Sequence, residues 1–393
     1  MKQRRQSQLS RQDFLFKSGG FITAAALGSH CSTYSQARFS SGATDPLQNA
    51  RASGLQTPIL QALAVGISAP NPHNTQAWKF RLISDTEALL YVDETRILPE
   101  TDPTFRQVHL GQGCLLELLS VGAGEIGMES RISLFPEGYD PTKDLGKKPV
   151  ARIRLLPSEF KDPMYAFVSH RRTVRSAYGG PDITQEEYHA LAQLTAPRVS
   201  KLKSTNSQNL KEHLKFHFQG MESEMGYFPT ADESRKWFRI GDDEIYGKRD
   251  GISLAGNGIT GLKKWFFETF FLSHDPDVFH SSSNQTAFLD SYRENLFSVK
   301  GQILLITSTN TVKDWVLCGR DYARLQLAAH SLGLVMRPTS QLMQEFPAMM
   351  KLAKKYNRFV GVHPPAKIQI NALLGRSEED FQAPRRPIED MII

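Results

Sequence analysis

The sequence contains an internal repeat, and this repeat constrains the fold more than any single motif does. An Ala-Leu-Ala pattern followed by Ala-Pro occurs at residues 62–70 and again at 190–197, with the two prolines 127 positions apart. Two glycine-bounded helical patterns, 111–127 and 319–333, stand 208 positions apart at their first glycines and 206 at their last. Repeats that keep their internal order indicate duplicated structural units. The sequence therefore predicts two similar α+β halves.

The repeat also predicts where the domains lie. A chain of 393 residues is too long for one domain of about 100–200 residues. We assign residues 45–160 to the first half and 161–393 to the second. The wider spacing of the second pair of motifs places about 80 extra residues in the second half, in an insertion at about 205–300. This stretch contains the aromatic run Trp265-Phe266-Phe267.

Composition excludes several classes of protein. The chain is 40% hydrophobic and 22% charged, which is a normal globular balance. No apolar run reaches the roughly 20 residues that a membrane-spanning helix needs, so we expect no stable membrane insertion after removal of the leader. The formal charge is +6, but residues 1–37 alone contribute a net +4, so the remainder does not predict nucleic-acid binding. Three cysteines form no disulfide framework, and no metal-ligand spacing occurs.

Residues 1–37 are predicted to be an export signal rather than part of the fold. A basic start is followed by an apolar stretch at 21–27 and by small residues at Ser35 and Ala37, which suit a cleavage site. The core at 10–17 resembles a twin-arginine signal, although Gln12 stands in place of the second arginine. We expect a periplasmic or exported protein. The alternative is a cytoplasmic protein with a disordered basic tail.

Hydrophobic periodicity predicts alternating helices and strands. The predicted helices are at 47–65, around 115–119, at 162–170, at 184–195 and at 312–334. The predicted strands are at 79–83, 89–93, 131–135, 150–156, 303–307 and 367–374.

One glycine motif, Gly122-Ala123-Gly124-Glu125-Ile126-Gly127, matches a dinucleotide-binding fingerprint but is not interpreted as one. That fingerprint follows a strand and opens a helix, whereas this motif ends a helical pattern and precedes a strand. We expect these glycines to let a helix end pack closely. Cys114 and Cys318 lie in apolar helical patterns and are predicted to be core residues.

Two polar motifs carry the candidate chemistry. Ser68-Ala69-Pro70-Asn71-Pro72-His73-Asn74-Thr75-Gln76-Ala77-Trp78 ends a helix in an amide-rich turn, which could bind the edge of a flat heteroaromatic ring or could simply cap the helix. His170-Arg171-Arg172-Thr173-Val174-Arg175 places three guanidinium groups within five residues, and Arg385-Arg386 adds a second pair. Guanidinium forks suit phosphate. Either cluster alone is more often a solvated surface, but two clusters together with an amide-rich turn would suit a phosphorylated ring cofactor.

At these motifs the sequence resembles the nitroreductase superfamily, and in particular its single-chain, internally duplicated Acg-type flavoproteins. The resemblance covers about residues 45–393 and implies the FMN-dependent nitroreductase fold, with two halves forming an intramolecular pseudo-dimer. It also implies an FMN cofactor. The family's R-x-S-x-R/K element, which binds the FMN phosphate and ring edge, is matched by Arg171, Thr173 and Arg175.

Three further family elements have counterparts, each with departures. The flavin-contacting turn is matched by Pro70, Asn71, Pro72, Asn74 and Gln76, with Ala77 in place of the family's second proline. The G-L-x-x-x-P-x-x-G segment near the flavin is matched at 333–341, and its end consists of Pro338, Thr339, Ser340 and Gln341. Gln341 replaces the family's last glycine. The basic tail is matched by Arg385 and Arg386.

The duplication gives this resemblance a specific consequence. The amide-rich turn occurs in the first half alone and the arginine element in the second alone, so one complete flavin site is expected, in a monomer that acts as its own dimer. The insertion is expected to form a lid. The implied activity is hydride transfer from a nicotinamide or other donor, through flavin N5, to a small electron-poor acceptor such as a nitroaromatic or a quinone. No catalytic side chain is assigned. A non-turnover FMN storage protein is the main alternative, and a cofactor-free scaffold is a third.

Overall fold

Two four-stranded antiparallel sheets organise the residues that this computed structural model describes, namely 45–205, 207–270 and 272–393. The predicted export signal lies outside them. The first sheet contains β1 (Trp78–Ser84), β2 (Glu87–Val92), β3 (Met128–Leu134) and β4 (Ala151–Pro157), in the order β1-β2-β4-β3. The second contains β5 (Lys201–Thr205), β8 (Gly301–Thr307), β9 (Val335–Pro338) and β10 (Lys367–Gly375), in the order β5-β8-β10-β9. Strand for strand, the two orders are the same.

We call residues 45–160, which contain the first sheet, the first sheet unit, and residues 161–393, which contain the second sheet, the second sheet unit. The first sheet unit has three α-helices. They are α1 (Pro46–Ala52), α2 (Pro58–Gly66) and α3 (Arg106–Glu125). Proline at the first helical position suits α1 and α2, because that position has no intrahelical partner for an N–H. In the second unit, α4 (Gln185–Thr195) precedes β5, and α11 (Val312–Ser331) follows β8. Each of these two begins with a threonine capping box, which satisfies otherwise unpaired N–H groups.

An inserted segment separates β5 from β8, whereas two residues suffice between β1 and β2. It consists of α5 (Ser207–Gly226), α6 (Phe228–Lys236), β6 (Phe238–Arg239), α7 (Gly241–Lys248), β7 (Ile252–Ser253), α8 (Gly261–Phe270), α9 (Pro276–Phe279) and α10 (Ser282–Phe297). The short strands β6 and β7 pair in parallel. The residues between β5 and β8 occupy the stretch of about 205–300 that the sequence assigns to an insertion, and that assignment stays a prediction. Helix α12 (Met350–Val360) lies later, between β9 and β10.

The two 20-residue helices α3 and α11 pack against each other at the centre of the molecule. Their closest approach is made possible by one glycine on each helix. A Cβ on Gly113 would overlap the Val316 carbonyl oxygen, and a Cβ on Gly319 would overlap the Leu110 carbonyl oxygen. The two helices therefore meet backbone to backbone, in a reciprocal arrangement.

The core continues from this contact into both sheets. Every residue of β8 is buried, so this strand is covered on both faces. Cys114 and Cys318 are buried in the same core, as predicted, and burial raises the pKa of each thiol. Gly122 packs against Val65 at the end of α3, which confirms that this glycine motif serves helix packing.

Several predicted element boundaries were wrong. The helix expected at 47–65 is two helices, because Gly54 adopts a positive φ of 81° and the chain turns before Pro58. The segment 162–170 contains only a short 3-10 helix, Pro163–Phe167. The helix that we expected to open at Gly111 begins at Arg106. The helix expected to reach 334 ends at Ser331, just before the left-handed Gly333.

No helix among the described residues is long and apolar enough to cross a membrane.

Candidate functional site

A polar cavity of about 440 Å³ lies where the two sheet units meet the inserted segment and the C-terminal tail. Its volume is within the usual range for small-molecule sites. Eight of the residues predicted from the sequence line it: Pro70, Asn71, Asn74, Arg171, Thr173, Arg175, Arg385 and Arg386. Their numbers run from 70 to 386, so the fold brings together distant parts of the chain. The cavity is therefore the candidate site.

The amide-rich turn between α2 and β1 has an unusual backbone. His73, Asn74 and Gln76 all have positive φ, at 47°, 52° and 54°. Such angles are uncommon for residues other than glycine and are retained where surrounding contacts enforce them. The Asn71 side-chain oxygen accepts a hydrogen bond from the Gln76 amide at 2.8 Å, which closes the turn on itself.

The C-terminal tail is joined to this turn by hydrogen bonds. Arg385 donates from Nη1 to the Asn74 side-chain oxygen at 2.9 Å and from Nε to the Ile67 carbonyl at 2.8 Å, next to the end of α2. The Gln76 side-chain oxygen accepts from the Arg386 amide at 2.8 Å. Cations are favourable at helix C-termini, where carbonyl groups lack partners. The tail and the turn therefore form one structural unit.

Gln76 departs from the sequence expectation. Its side chain is fully buried and lines neither cavity described in this section; its Nε2 donates to the Arg249 carbonyl at 2.8 Å. The amides of Asn71 and Asn74 are also engaged within the protein, with the Ala69 and Pro384 carbonyls. The turn thus uses much of its hydrogen-bonding capacity to hold its own shape.

The arginine element supplies positive charge from the opposite side. The Arg171 side chain is buried, donates from Nη1 to the Gln326 side-chain oxygen at 3.0 Å, and has a buried Nε with no hydrogen-bond partner. Burial lowers its pKa to about 10, so it remains protonated at neutral pH. Arg175 is half-buried and donates to the Gly256 carbonyl. Burial, followed by the nearby Arg337 charge, lowers the pKa of Arg175.

Carboxylates act on two of the arginines at this site only beyond ion-pair distance, Glu379 on Arg175 and Asp390 on Arg386. In the described part of the chain, no carboxylate lies within ion-pair distance (4.0 Å) of five of them: Arg171, Arg175, Arg337, Arg385 and Arg386. One buried nitrogen of Arg386 also lacks a hydrogen-bond partner. Burial, followed by the Arg171 charge, lowers the pKa of Arg385 to about 9. A buried guanidinium without an ion-pair partner, such as that of Arg171, is costly, so the cluster favours an anionic ligand.

A second cavity, of about 500 Å³, adjoins the first and is more apolar. The two share six lining residues: Pro70, Asn71, Thr173, Arg175, Ile252 and Asn257. Apart from Gln76, the other predicted residues lie on this cavity: Pro72, Pro338, Thr339, Ser340 and Gln341. Most of its remaining wall comes from the inserted segment. The predicted site residues are thus divided between a polar and an apolar compartment that share a wall.

Sequence reasoning missed two contributors to the site. Arg337 is buried, and its Nη1 donates to the Arg175 carbonyl at 2.7 Å, which holds the arginine element against β9. It stands directly before Pro338, so the matched segment already pointed to its position. Glu379 accepts from the Ser176 amide at 3.2 Å, and nothing in the local sequence marked it. His73, on the apolar cavity, has its pKa lowered to about 4 by burial and by Arg175, so it is neutral at pH 7.

Among the residues described, no three His, Cys, Asp or Glu side chains form a group that could hold a metal ion.

Parts of the sequence are similar to known nitroreductases, although no protein-family model matches. Over 189 residues, or 45% of this chain, it is 23% identical to acg, a candidate NAD(P)H nitroreductase of Mycobacterium tuberculosis. Over 122 residues, or 30% of this chain, it is 30% identical to a second candidate NAD(P)H nitroreductase of that organism, Rv3131. The matches span 55% and 34% of those relatives' lengths, so the likeness covers about half of the first and a third of the second.

Solved structures give a weaker likeness. An FMN-dependent nitroreductase, NfnB from Mycobacterium smegmatis in complex with NADPH, is 14% identical and aligns with 56% of this chain and 92% of its own, with a TM-score of 0.37. A nitroreductase with bound FMN from Desulfitobacterium hafniense is 14% identical over 60% of this chain and 98% of its own, with a TM-score of 0.34.

Proposed function

We propose that this protein is an FMN-dependent oxidoreductase of the nitroreductase type, with one flavin site per chain. The observation that carries the proposal is a set of four arginines on the polar cavity, Arg171, Arg175, Arg385 and Arg386, none of which has a carboxylate within ion-pair distance among the described residues. A phosphorylated ring cofactor would place its anionic group where that charge is uncompensated. The named relatives, which are candidate NAD(P)H nitroreductases, support the same assignment.

The side chains around the polar cavity offer the hydrogen-bond donors that FMN needs. The buried Nε of Arg171 and the buried Nη1 of Arg386 lack partners, so donors remain for an anion. Arg171, Thr173 and Arg175 would hold the phosphate and the polar edge of the ring, and the turn at Pro70 and Asn71 would face the ring from the first half. When bound, FMN supplies two-electron hydride chemistry at its N5 position.

The chain's own contribution would be orientation and electrostatics. Arg175 lies on the wall that both cavities share, where it would stabilise negative charge that develops on reduction. The turn, held by Arg385 and Gln76, would keep the opposite wall in place. We assign no general acid or base to this step.

We further propose that the two sheet units arose by duplication and act as an intramolecular pseudo-dimer. Their identical strand orders and the reciprocal contact of α3 with α11 support this. Because the amide-rich turn lies in one unit and the arginine element in the other, a single complete site results. The protein would then function as a monomer.

The donor and acceptor follow from the same reasoning. A nicotinamide donor fits the relatives' names, and the adjoining apolar cavity suits a small electron-poor acceptor such as a nitroaromatic or a quinone. Rapid mixing of the flavin-loaded protein with NADH and with NADPH tests this. Loss of the oxidised flavin absorbance is expected with at least one donor. Flavin that stays oxidised with both would favour the storage function instead.

Export remains a separate proposal that rests on the leader sequence. We propose that residues 1–37 direct the folded, flavin-loaded protein to the periplasm by the twin-arginine route. Cell fractionation tests it, with Arg11→Lys as the variant. We expect loss of export in the variant, and a wild-type protein confined to the cytoplasm would contradict the proposal.

A further inference from the structure

Helix α12 carries a basic surface that the proposed flavin site does not use. Four of its residues are exposed cations: Lys351, Lys354, Lys355 and Arg358. In the described ranges, no carboxylate lies within ion-pair distance of any of the four. The sequence contains no aspartate or glutamate from 346 to 377, so the surrounding chain supplies no counter-charge either. We call these four side chains the basic face of α12.

The spacing of these cations is unfavourable for the helix itself. Each member of the basic face has a like charge four positions away, and like charges at this spacing repel each other on a helix surface. The opposite side of α12 supplies the compensating stability, because Tyr356 and Val360 are buried in the core of the second sheet unit. The helix is therefore held by its apolar side, and its basic face is available to an anionic partner.

Two exposed apolar side chains flank the basic face. At about 100° per residue, the four cations fall within an arc of about 100°, with Met350 at one edge and Phe359 at the other. Met350 is 56% exposed and Phe359 is 46% exposed. Phe359 packs on one side against His213 and Phe216 of α5, with ring centroids 4.9 Å and 5.2 Å away. The exposed surface of α12 thus combines positive charge with apolar edges.

We propose that α12 binds the surface of a membrane that contains anionic phospholipids. Lysine and arginine are attracted to the phosphates of such a surface, and exposed apolar groups enter the boundary between the headgroups and the acyl chains. A nucleic-acid duplex would attract the cations, but it presents phosphates rather than apolar surface to Met350 and Phe359. The inference concerns adsorption rather than a membrane span, and it does not depend on the proposed flavin function.

The test is cosedimentation of the protein with lipid vesicles. Residues 1–37 are removed first, because their basic and apolar segments would bind lipid themselves, and denaturant titration confirms that each preparation unfolds cooperatively. We expect binding to vesicles of equal parts phosphatidylglycerol and phosphatidylcholine at about 50 mM salt, and release at about 0.5 M salt, where charges are screened. Vesicles of phosphatidylcholine alone should not bind the protein.

Variants of α12 locate the binding surface. Replacing the whole basic face by glutamine should weaken vesicle binding about 100-fold or more, because each cation near an anionic surface contributes about five-fold. Lys355→Gln alone should weaken it about five-fold, which keeps the proposal testable if the fourfold variant does not fold. Met350→Ser should weaken vesicle binding about three-fold and leave the binding of heparin, a soluble polyanion, unchanged.

A second fourfold variant is the matched control, because it loses the same net charge at exposed lysines elsewhere: Lys143→Gln, Lys147→Gln, Lys161→Gln and Lys313→Gln. It should keep the wild-type affinity for vesicles. Three results would overturn the inference: no binding to phosphatidylglycerol vesicles, equal losses in the two fourfold variants, or displacement from the vesicles by a DNA duplex at an equal concentration of phosphate groups.

Discussion

The two sheet units share a framework and differ in what they add to it. Both contain four antiparallel strands in the same order and one 20-residue helix at the shared centre. The first connects its first two strands with two residues, whereas the second inserts a long helical segment there. The first supplies the amide-rich turn and the second the arginines. The shared framework therefore positions the site, whereas the side chains that would bind the flavin come from segments that only one of the two units has.

The largest expected effect comes from removing charge in the second unit. Arg171→Ala with Arg175→Ala should weaken FMN binding about 10³-fold, because each guanidinium lost removes a charge-assisted interaction of about 1.5–3 kcal/mol. Fluorescence titration with FMN measures this. The control is Arg152→Ala with Arg154→Ala, a pair of arginines away from the site that binds Glu87 on the first sheet. Equal losses of FMN affinity in both double variants would contradict the proposal that the arginines of the second unit bind the flavin.

The contact between α3 and α11 should be destabilised equally by a substitution on either helix. Gly113→Ala and Gly319→Ala should each lower the free energy of unfolding by about 3 kcal/mol, because the added methyl group overlaps a carbonyl oxygen of the facing helix. Denaturant titration measures this loss.

Gly247→Ala is the control for these substitutions. Gly247 lies within α7 with no atom near its Cβ position, so alanine should be neutral or slightly stabilising there. If only one of the two core substitutions destabilises the protein, the helices do not contribute equivalently and the comparison fails.

The sequence predicted the repeating framework better than it predicted the site. Strands β1 to β4, β8 and β10 were expected near their observed positions, because apolar alternation is a local signal. The hydrogen bonds between the C-terminal tail and the amide-rich turn could not be predicted, because the partners Gln76 and Arg386 stand 310 positions apart in the sequence. Periodicity likewise gave no sign that Gln76 is turned away from the cavities, because a side chain's direction within an irregular turn depends on tertiary contacts.

The link between the turn and the tail can be weakened separately. Gln76→Leu removes the acceptor for the Arg386 amide and the donor to the Arg249 carbonyl while keeping an apolar side chain of similar size. Unpaired polar groups left behind cost about 1–3 kcal/mol, so FMN release should be about 10-fold faster. Stopped-flow measurement of flavin release checks this. Gln56→Leu, at an exposed position before α2, should leave release unchanged, and an unaffected rate in Gln76→Leu would show that the tail does not support the site.

The last prediction concerns the pH dependence of stability and a histidine on the first unit's long helix. Burial lowers the pKa of His109 on α3 to about 4, below the value of about 6.5 in an unfolded chain. Between these values the unfolded chain binds more protons, so stability is lost as the pH falls from about 6.5 to 4, by up to about 1.4 kcal/mol per pH unit. His109→Gln should flatten the pH dependence of the unfolding free energy by that amount. A variant with the wild-type slope would show that His109 is protonated in the folded protein.

The central claim is that both sheet units contribute to one anion-binding flavin site. Equilibrium titration of the chain, freed of residues 1–37, with FMN tests this most directly. The account predicts saturation at one FMN per chain in a monomer, with the visible absorbance of bound flavin. Saturation at two per chain, or no binding at all, would contradict it.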